Sequence, residues 1–457
     1  MHRPWRVFFA KSAAVVGLLA TYVGLPQVPA QAPGPEVLVA AVPSLPLPTP
    51  TPETLAELYG LHDRLRTQLE RYPAAMLVTR SGVEPAPPTL LDSLWAIQQR
   101  IHREEAAQDL RQRADRLAAA ALALGDPATL PPASVEAAHG LWAETMDALA
   151  QVPEGSLAAA EAARQRSHYD RQFAIAAHRY DTARSDFLAA IAEQTGAANR
   201  LRITVCTLQR HCRRWQGDRP PASPASLIKV PVAVALMHHL HSQGIAASTP
   251  LWVSPGNWTE DAGRTWVGTE YPIETILADM VSASGNIATN QLIDYLGYTG
   301  VGQALRDRGY SSTRVSRKLV GQSTYPTNAG HQPNTTTTDE ITDMMVGIYN
   351  HEHPGDDLIR AALHTQVDLA LGHAAVAPPA TWLGEKTGRN SKVLGSTSAV
   401  VVAGQTYIIT TTLDHSGHEA LLRTVIASIV EHLLTHDGFG ADPEATPRPT
   451  AFLPSGL

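Results

Sequence analysis

Three short clusters in this chain combine residue types that, brought together, could make and break an acyl bond. Ser226 and Lys229 open the stretch "SLIKVPVAVALMHHL". Three residues apart on a helix, they share a face. A serine hydroxyl attacks a carbonyl only when a base takes its proton, and a lysine whose pKa is lowered by burial is such a base. A helix N-terminus at Ser226 would also turn backbone N–H groups toward a developing oxyanion. Ser284-Gly285-Asn286, in "MVSASGNIATN", adds a second hydroxyl and an amide. Lys386-Thr387-Gly388, in "TWLGEKTGRNS", offers a cation and a donor to a carboxylate, and a glycine that lets a substrate approach the backbone. Each cluster alone has an ordinary reading: an N-cap serine with a snorkelling lysine, a turn before a helix, a strand end with a turn glycine. What tells against the first is cost, because a lysine in so apolar a run is expensive unless it is paired or put to use.

In this order, 58 and 102 residues apart, the clusters resemble the S-x-x-K, S-D-N and K-T-G motifs of the class A β-lactamases and related penicillin-binding proteins. The resemblance covers about Arg184 to Gly438. It implies an antiparallel sheet built from both ends of the domain and interrupted by a helical lobe. It also implies residue roles. Ser226 is the acyl-accepting nucleophile and Lys229 a base for it. Ser284 relays a proton to the leaving nitrogen and Asn286 orients the substrate amide. Lys386 and Thr387 contact the substrate carboxylate, with Gly388 beside them, and the N–H groups of Ser226 and Arg389 form the oxyanion hole. "NTTTTDEITDMM" resembles the stretch after the family's omega loop.

Two departures bear on the chemistry. Gly285 stands where class A enzymes usually have aspartate. Class A enzymes also place a glutamate in the omega loop to activate the deacylating water, whereas the segment between Asp307 and Asp339 holds no Asp or Glu and instead carries Arg308, Arg314, Arg317 and Lys318. The reading is therefore a serine hydrolase acting on amide bonds, β-lactamase-like or D-Ala-D-Ala peptidase-like, with β-lactams or cell-wall peptides as substrates and slow deacylation. Glu260, Asp261 and Glu270 are the carboxylates that could fold over the site. The alternative is a cell-wall sensor or binding module with little turnover. The serine-type glutaminases share S-x-x-K and the fold, but export and K-T-G weigh against them.

The elements that must position these residues fit an α+β fold. "RLRITVCTL" is β-rich and returns through a turn at Leu208–Arg210 to "RRW". This hairpin sets Cys206 opposite Cys212, within disulfide reach. "SAVVVAGQTYIITTTL" is a second hairpin turning at Ala403–Gln405. A last helix starts at "SGHE" with Ser416 and Glu419 as a capping box, and it ends at Gly438. Upstream, apolar residues three and four apart (Leu58, Leu61, Leu65, Leu69 and Tyr72; Leu90, Leu94, Ile97 and Ile101; Leu110, Ala114, Leu117, Ala121 and Leu124) mark helices, broken at "VEPAPP" and "GDPATLPPAS". That region reads as an all-α bundle or coiled-coil stalk, a spacer or a module for a protein partner or self-association.

The chain has 457 residues, 44% hydrophobic and 17% charged, with a net charge of −7. Such a composition is globular and argues against nucleic acid as the partner. Basic residues followed by an apolar stretch of about fourteen residues, short for a membrane span, and "AQA" at Ala30–Ala32 read as an export signal, with an uncleaved anchor as the alternative. Export to the periplasm or cell exterior favours the disulfide. The organisation is thus signal or anchor 1–32, proline-rich linker 33–52, helical region 53–183, hydrolase domain 184–440 and flexible tail 441–457. No cofactor is called for. "HHLH" at His238–His241 lacks a partner Cys, Asp or Glu, so no metal is assigned. Trp252, Trp258 and Trp266 are candidates for a substrate rim.

Overall fold

A computed structural model describes residues 52–71, 90–260 and 263–440. The export segment, most of the proline-rich linker, the "VEPAPP" break, Asp261 and the tail lie outside the described residues. The chain divides into two compact units, 1–102 and 103–457. In the first, α1 (Leu55–Glu70) starts at Thr54, whose hydroxyl accepts from Glu57 N–H, and buries Leu58, Leu61 and Leu65 against Leu90, Ile97 and Ile101. The latter residues open α2 (Leu90–Leu124), which continues into the second unit.

In the second unit, α2 is followed by α3 (Pro132–Ala150), α4 (Ala159–Ala183) and α5 (Asp186–Gln194). The helices meet through small residues in two clusters, Ala107, Ala114 and Ala148 with Leu149 and Val152, and Ala118, Ala121 and Ala176 with the fully buried Trp142. Two strands follow, β1 (Leu201–Thr207) and β2 (Cys212–Trp215), then the buried α6 (Lys229–Gln243). A small ribbon, β3 (Pro250–Trp252) with β4 (Glu270–Pro272), leads to α7 (Ile273–Ala278) and α8 (Asn286–Asp307). Then come α9 (Thr338–Asn350), α10 (Asp356–His364) and the short α11 (Gly372–Ala375). The chain closes with β5 (Thr381–Asn390), β6 (Val393–Val402), β7 (Gln405–Asp414) and α12 (Glu419–Thr435).

The five-stranded sheet has the order β2-β1-β7-β6-β5 and is antiparallel throughout. The first strands of the domain thus pair with the last, with the helices between them, as the resemblance implies. Strand alternation assigns the two faces. Leu201, Ile203, Val205 and Ile409 pack on α5 and α12, while Cys206 and Ile408 face the core built on α6, α8 and α9. β6 is buried along almost its whole length, its apolar ends flanking a buried polar centre at Ser396, Thr397 and Ser398. Cys206 and Cys212 are register partners and form a disulfide, with Cα atoms 4.1 Å apart. The β6–β7 turn falls at Ala403 and Gly404, both at positive φ. That is the backbone twist a two-residue hairpin favours.

The cap of the last helix differs from the expectation. Ser416 Oγ only accepts from His418 N–H (3.1 Å), and His418 is the N-cap, its Nδ1 accepting from Leu421 N–H at 3.0 Å. Because the helix starts at Glu419, that glutamate is too early to close a capping box. Nor does the helical region merely precede the domain. Arg214 of β2 pairs with Asp181 of α4, and Asp339 of α9 accepts from His178 of α4 (2.9 Å) and pairs with Arg214 (3.2 Å). A cleft of about 1060 Å³ opens beside this junction, and no motif residue lines it.

Candidate active site

Ser226 lies in a 3₁₀ turn, Ala225–Ile228, that runs directly into α6. The residue before it, Ala225, has φ 45°, a left-handed conformation that costs energy outside glycine and recurs at functional sites. Lys229 begins α6 with no exposed surface. Its ammonium donates to the Ser284 carbonyl, to Ser284 Oγ (3.1 Å) and to Asn286 Oδ1 (3.0 Å). The cost of burying that charge is therefore met by polar partners from the second motif.

The second motif is held by an irregular backbone. Asp279–Ala283 forms a single π-turn, Ser284 sits at φ 61°, and α8 starts at Asn286. The missing aspartate of S-D-N has a physical account. A Cβ on Gly285 would lie 2.6 Å from Asp279 Oδ2. Asp279 is buried and accepts from Arg264 N–H (2.8 Å), Thr265 N–H (3.0 Å) and Thr265 Oγ1 (2.7 Å). Asp279 thus brings a carboxylate up to Gly285 from the preceding helix.

The third motif is on β5. A Cβ on Gly388 would meet Leu227 N at 2.9 Å and Ser226 N at 3.1 Å. Only glycine lets this strand lie against the backbone amides of the Ser226 turn, so the first and third motifs meet there. Lys386 is fully buried. Its Nζ donates to the Thr387 carbonyl (2.9 Å). With the Gln366 amide oriented to satisfy both its ends, Nζ also donates to Gln366 Oε1 (3.2 Å), which accepts from Thr387 N–H (3.1 Å) as well, while the Gln366 nitrogen donates to the Ser282 and Val281 carbonyls. Gln366 ties β5 to the π-turn. Burial pushes the Lys386 ammonium down to about 7, against the opposing pull of Asp368 and Glu385. Glu385, the next residue back, is raised by burial and accepts from Gly372 N–H (2.7 Å) and Ser396 Oγ (2.9 Å).

The segment between α8 and α9 is pinned without a carboxylate of its own. Lys318 donates to Asp294 (2.6 Å), Asn257 Oδ1 (2.8 Å) and the Thr327 carbonyl (2.7 Å). Asn290, one turn after Asn286 on α8, clamps Leu319 on both sides: Leu319 N–H donates to its Oδ1 (2.7 Å), and its Nδ2 donates to the Leu319 carbonyl (2.9 Å). Glu260 does reach this segment. Its Oε1 accepts from Ser323 Oγ (2.5 Å) and Thr324 Oγ1 (2.8 Å), and these bonds hold the carboxyl at about 2. Glu270 is exposed on β4, and Trp252, Trp258 and Trp266 are exposed as well.

The model of the Beta-lactamase enzyme family matches residues 184–436. The chain belongs to this family. The matched span agrees within two residues with the Arg184 to Gly438 coverage of the resemblance. Among solved structures, the family domain is similar to the β-lactamase of Sphaerobacter thermophilus DSM 20745 (20% identity over 55% of this chain and 96% of that one, TM-score 0.48). It is also similar to PBP-A (21% identity, 55% and 97%, TM-score 0.48), which was in addition solved as a mutant acyl-enzyme complex with penicillin G. A comparison with curated proteins gives no match.

The structure thus gathers Ser284 and Asn286 round the Lys229 ammonium and sets Gly388 against the Ser226 turn. Sequence reasoning missed Gln366, Asp368, Asp279 and Asn290. Asn290 had a signal, four residues after Asn286 on one helix face; the others join the site only through tertiary contacts.

Proposed function

We propose that this member of the family is an exported serine acyl-enzyme that β-lactams or D-alanyl peptides acylate at Ser226 and that deacylates slowly. The observation carrying the acylation half is the Lys229 network, one helical turn from Ser226 and bonded to Ser284 and Asn286. In its amine form Lys229 takes the Ser226 proton as Oγ bonds to the carbonyl carbon. Backbone N–H groups at the Ser226 turn and Arg389 receive the oxyanion. The C–N bond then breaks, the nitrogen receives a proton through Ser284, and an ester remains on Ser226. Hydrolysis of that ester needs a base for water, and positioned general-base help is typically worth about 10²–10⁴ in rate. Leu319 stands where Asn290 fixes the loop, and the Glu260 carboxylate is already engaged by two hydroxyls. The same observation favours a penicillin-binding-protein-like reading, in which the acyl-enzyme or the bound peptide persists.

Intact-protein mass spectrometry after mixing with penicillin tests this. The expected result is a penicilloyl adduct on Ser226 that is absent in Ser226→Ala and persists well beyond the time needed to form it. A label that survives Ser226→Ala refutes the nucleophile. An adduct that clears as fast as it forms refutes slow deacylation.

A further inference from the structure

One of the groups assigned above to the substrate carboxylate, the Thr387 hydroxyl, already holds a carboxylate, together with the Arg389 guanidinium. Asp368, just after α10, directs Oδ2 at Thr387 Oγ1, which donates at 3.1 Å, and at Arg389 Nη2, which donates at 2.6 Å. Its Oδ1 accepts from Ala370 N–H at 3.2 Å, so the carboxylate is held by three donors from two segments. Arg389 is not left over for a second anion, because its Nη1 donates to Glu419 of α12 at 2.5 Å. Burial lowers the Arg389 pKa, but Asp368 and Glu419 outweigh it and hold the guanidinium above its ordinary value. Lys386, behind this pair, is the remaining cation of the motif.

From this we infer that Asp368 sets the specificity of the site against substrates with a free carboxylate at the Lys386–Thr387–Arg389 end and in favour of a carboxamide there. The inference rests on the acyl-enzyme reading for the identity of the site. An incoming carboxylate would face Asp368 across the Thr387 hydroxyl, two like charges competing for the same donors, which disfavours binding. A carboxamide meets no such conflict. Its NH₂ donates to Asp368, and its oxygen accepts from the Lys386 ammonium, whose other two N–H groups go to the Thr387 carbonyl and Gln366, while the Thr387 hydroxyl keeps its bond to Asp368. The substrate class is then an acyl-D-amino-acid amide, a peptide whose terminal carboxyl is amidated.

Binding without chemistry tests this. In a Ser226→Ala background, N-acetyl-D-alanyl-D-alanine and its C-terminal carboxamide are titrated by calorimetry, with ligand-observed NMR for weak binding, before and after adding Asp368→Asn. We expect the amide to bind at least tenfold more tightly than the acid. Asp368→Asn should tighten the acid at least tenfold and leave the amide within threefold. Asp368→Ala is the second variant, and thermal melts certify that each is folded. The inference is overturned if the acid binds as well as the amide, if Asp368→Asn moves both ligands alike, or if neither ligand binds any of these proteins. Penicillin carries such a carboxylate, so Asp368 slows its acylation of Ser226 and Asp368→Asn, with Ser226 in place, speeds it. Failure of the acyl-enzyme reading shows elsewhere, as a penicilloyl adduct absent from both the unsubstituted protein and Asp368→Asn, and leaves the acid-against-amide comparison intact.

Discussion

Replacing Lys386 by methionine should stabilise the protein, and by an amount that depends on pH. Lys386 has no exposed surface, and its ammonium, ordinarily near 10.5, is pushed down to about 7. The unfolded chain binds this proton below about 10.5, the folded one only below about 7. Between those values unfolding takes up a proton, so the stability of the parent rises with pH. The penalty for burying the charge is complete below about pH 7 and fades as pH rises toward 10.5. At 1.36 kcal/mol for each pH unit of displacement the ceiling is ~5 kcal/mol. Part of it is offset in the variant, because the Gln366 oxygen and the Thr387 carbonyl each lose a donor, at roughly 1–3 kcal/mol in all. Lys386→Met should therefore gain about 2 kcal/mol at pH 6, and the gain should shrink by roughly 2–3 kcal/mol between pH 6 and 9. Urea unfolding of both proteins at pH 6, 7.5 and 9, at one ionic strength, reads this directly, and the difference between them cancels every other titrating group. A difference constant across that range would show that Lys386 titrates alike in both states, and the argument from burial would be wrong.

Gly388→Ala should slow acylation by about 10²–10³, the usual loss when an oxyanion donor is displaced, because its methyl meets two backbone nitrogens. Labelling by a fluorescent penicillin within threefold of the parent would refute the contact. Leu319→Glu, which puts a carboxylate on the position Asn290 clamps, should shorten the adduct lifetime at least tenfold, well inside the range of general-base help; an unchanged lifetime in time-resolved mass spectrometry argues against the site of the missing base. Asp279→Ala leaves two backbone N–H groups without their acceptor and should cost roughly 2–3 kcal/mol in urea unfolding, with Asp279→Asn losing less; a loss under half a kcal/mol would show that Asp279 does not hold the second motif. Breaking the disulfide by Cys206→Ser with Cys212→Ser should cost about 2 kcal/mol for so short a loop, read as a lower melting temperature that is absent under reducing conditions.

Much of this protein was legible along the chain because the signals are local. Alternation and apolar runs mark β1, β6 and β7, the hairpin register pairs Cys206 with Cys212, and three motifs in order name the family and its fold and propose the site residues. The acid-free stretch between Asp307 and Asp339 is equally a property of sequence alone. The tertiary structure decided what closes round those motifs. That Asp279 approaches Gly285 follows from a π-turn whose geometry no spacing announces. That Gln366 bridges Lys386 to the π-turn, and that Asp368 occupies the donors of Thr387 and Arg389, depends on where α10 ends over β5. The same holds for the last helix, where the chain path, not the S-x-x-E pattern, made His418 the cap. Side chains on different elements become partners only when packing fixes those elements, so the residues packed round the motifs appear in the fold although the motifs themselves appear in the sequence.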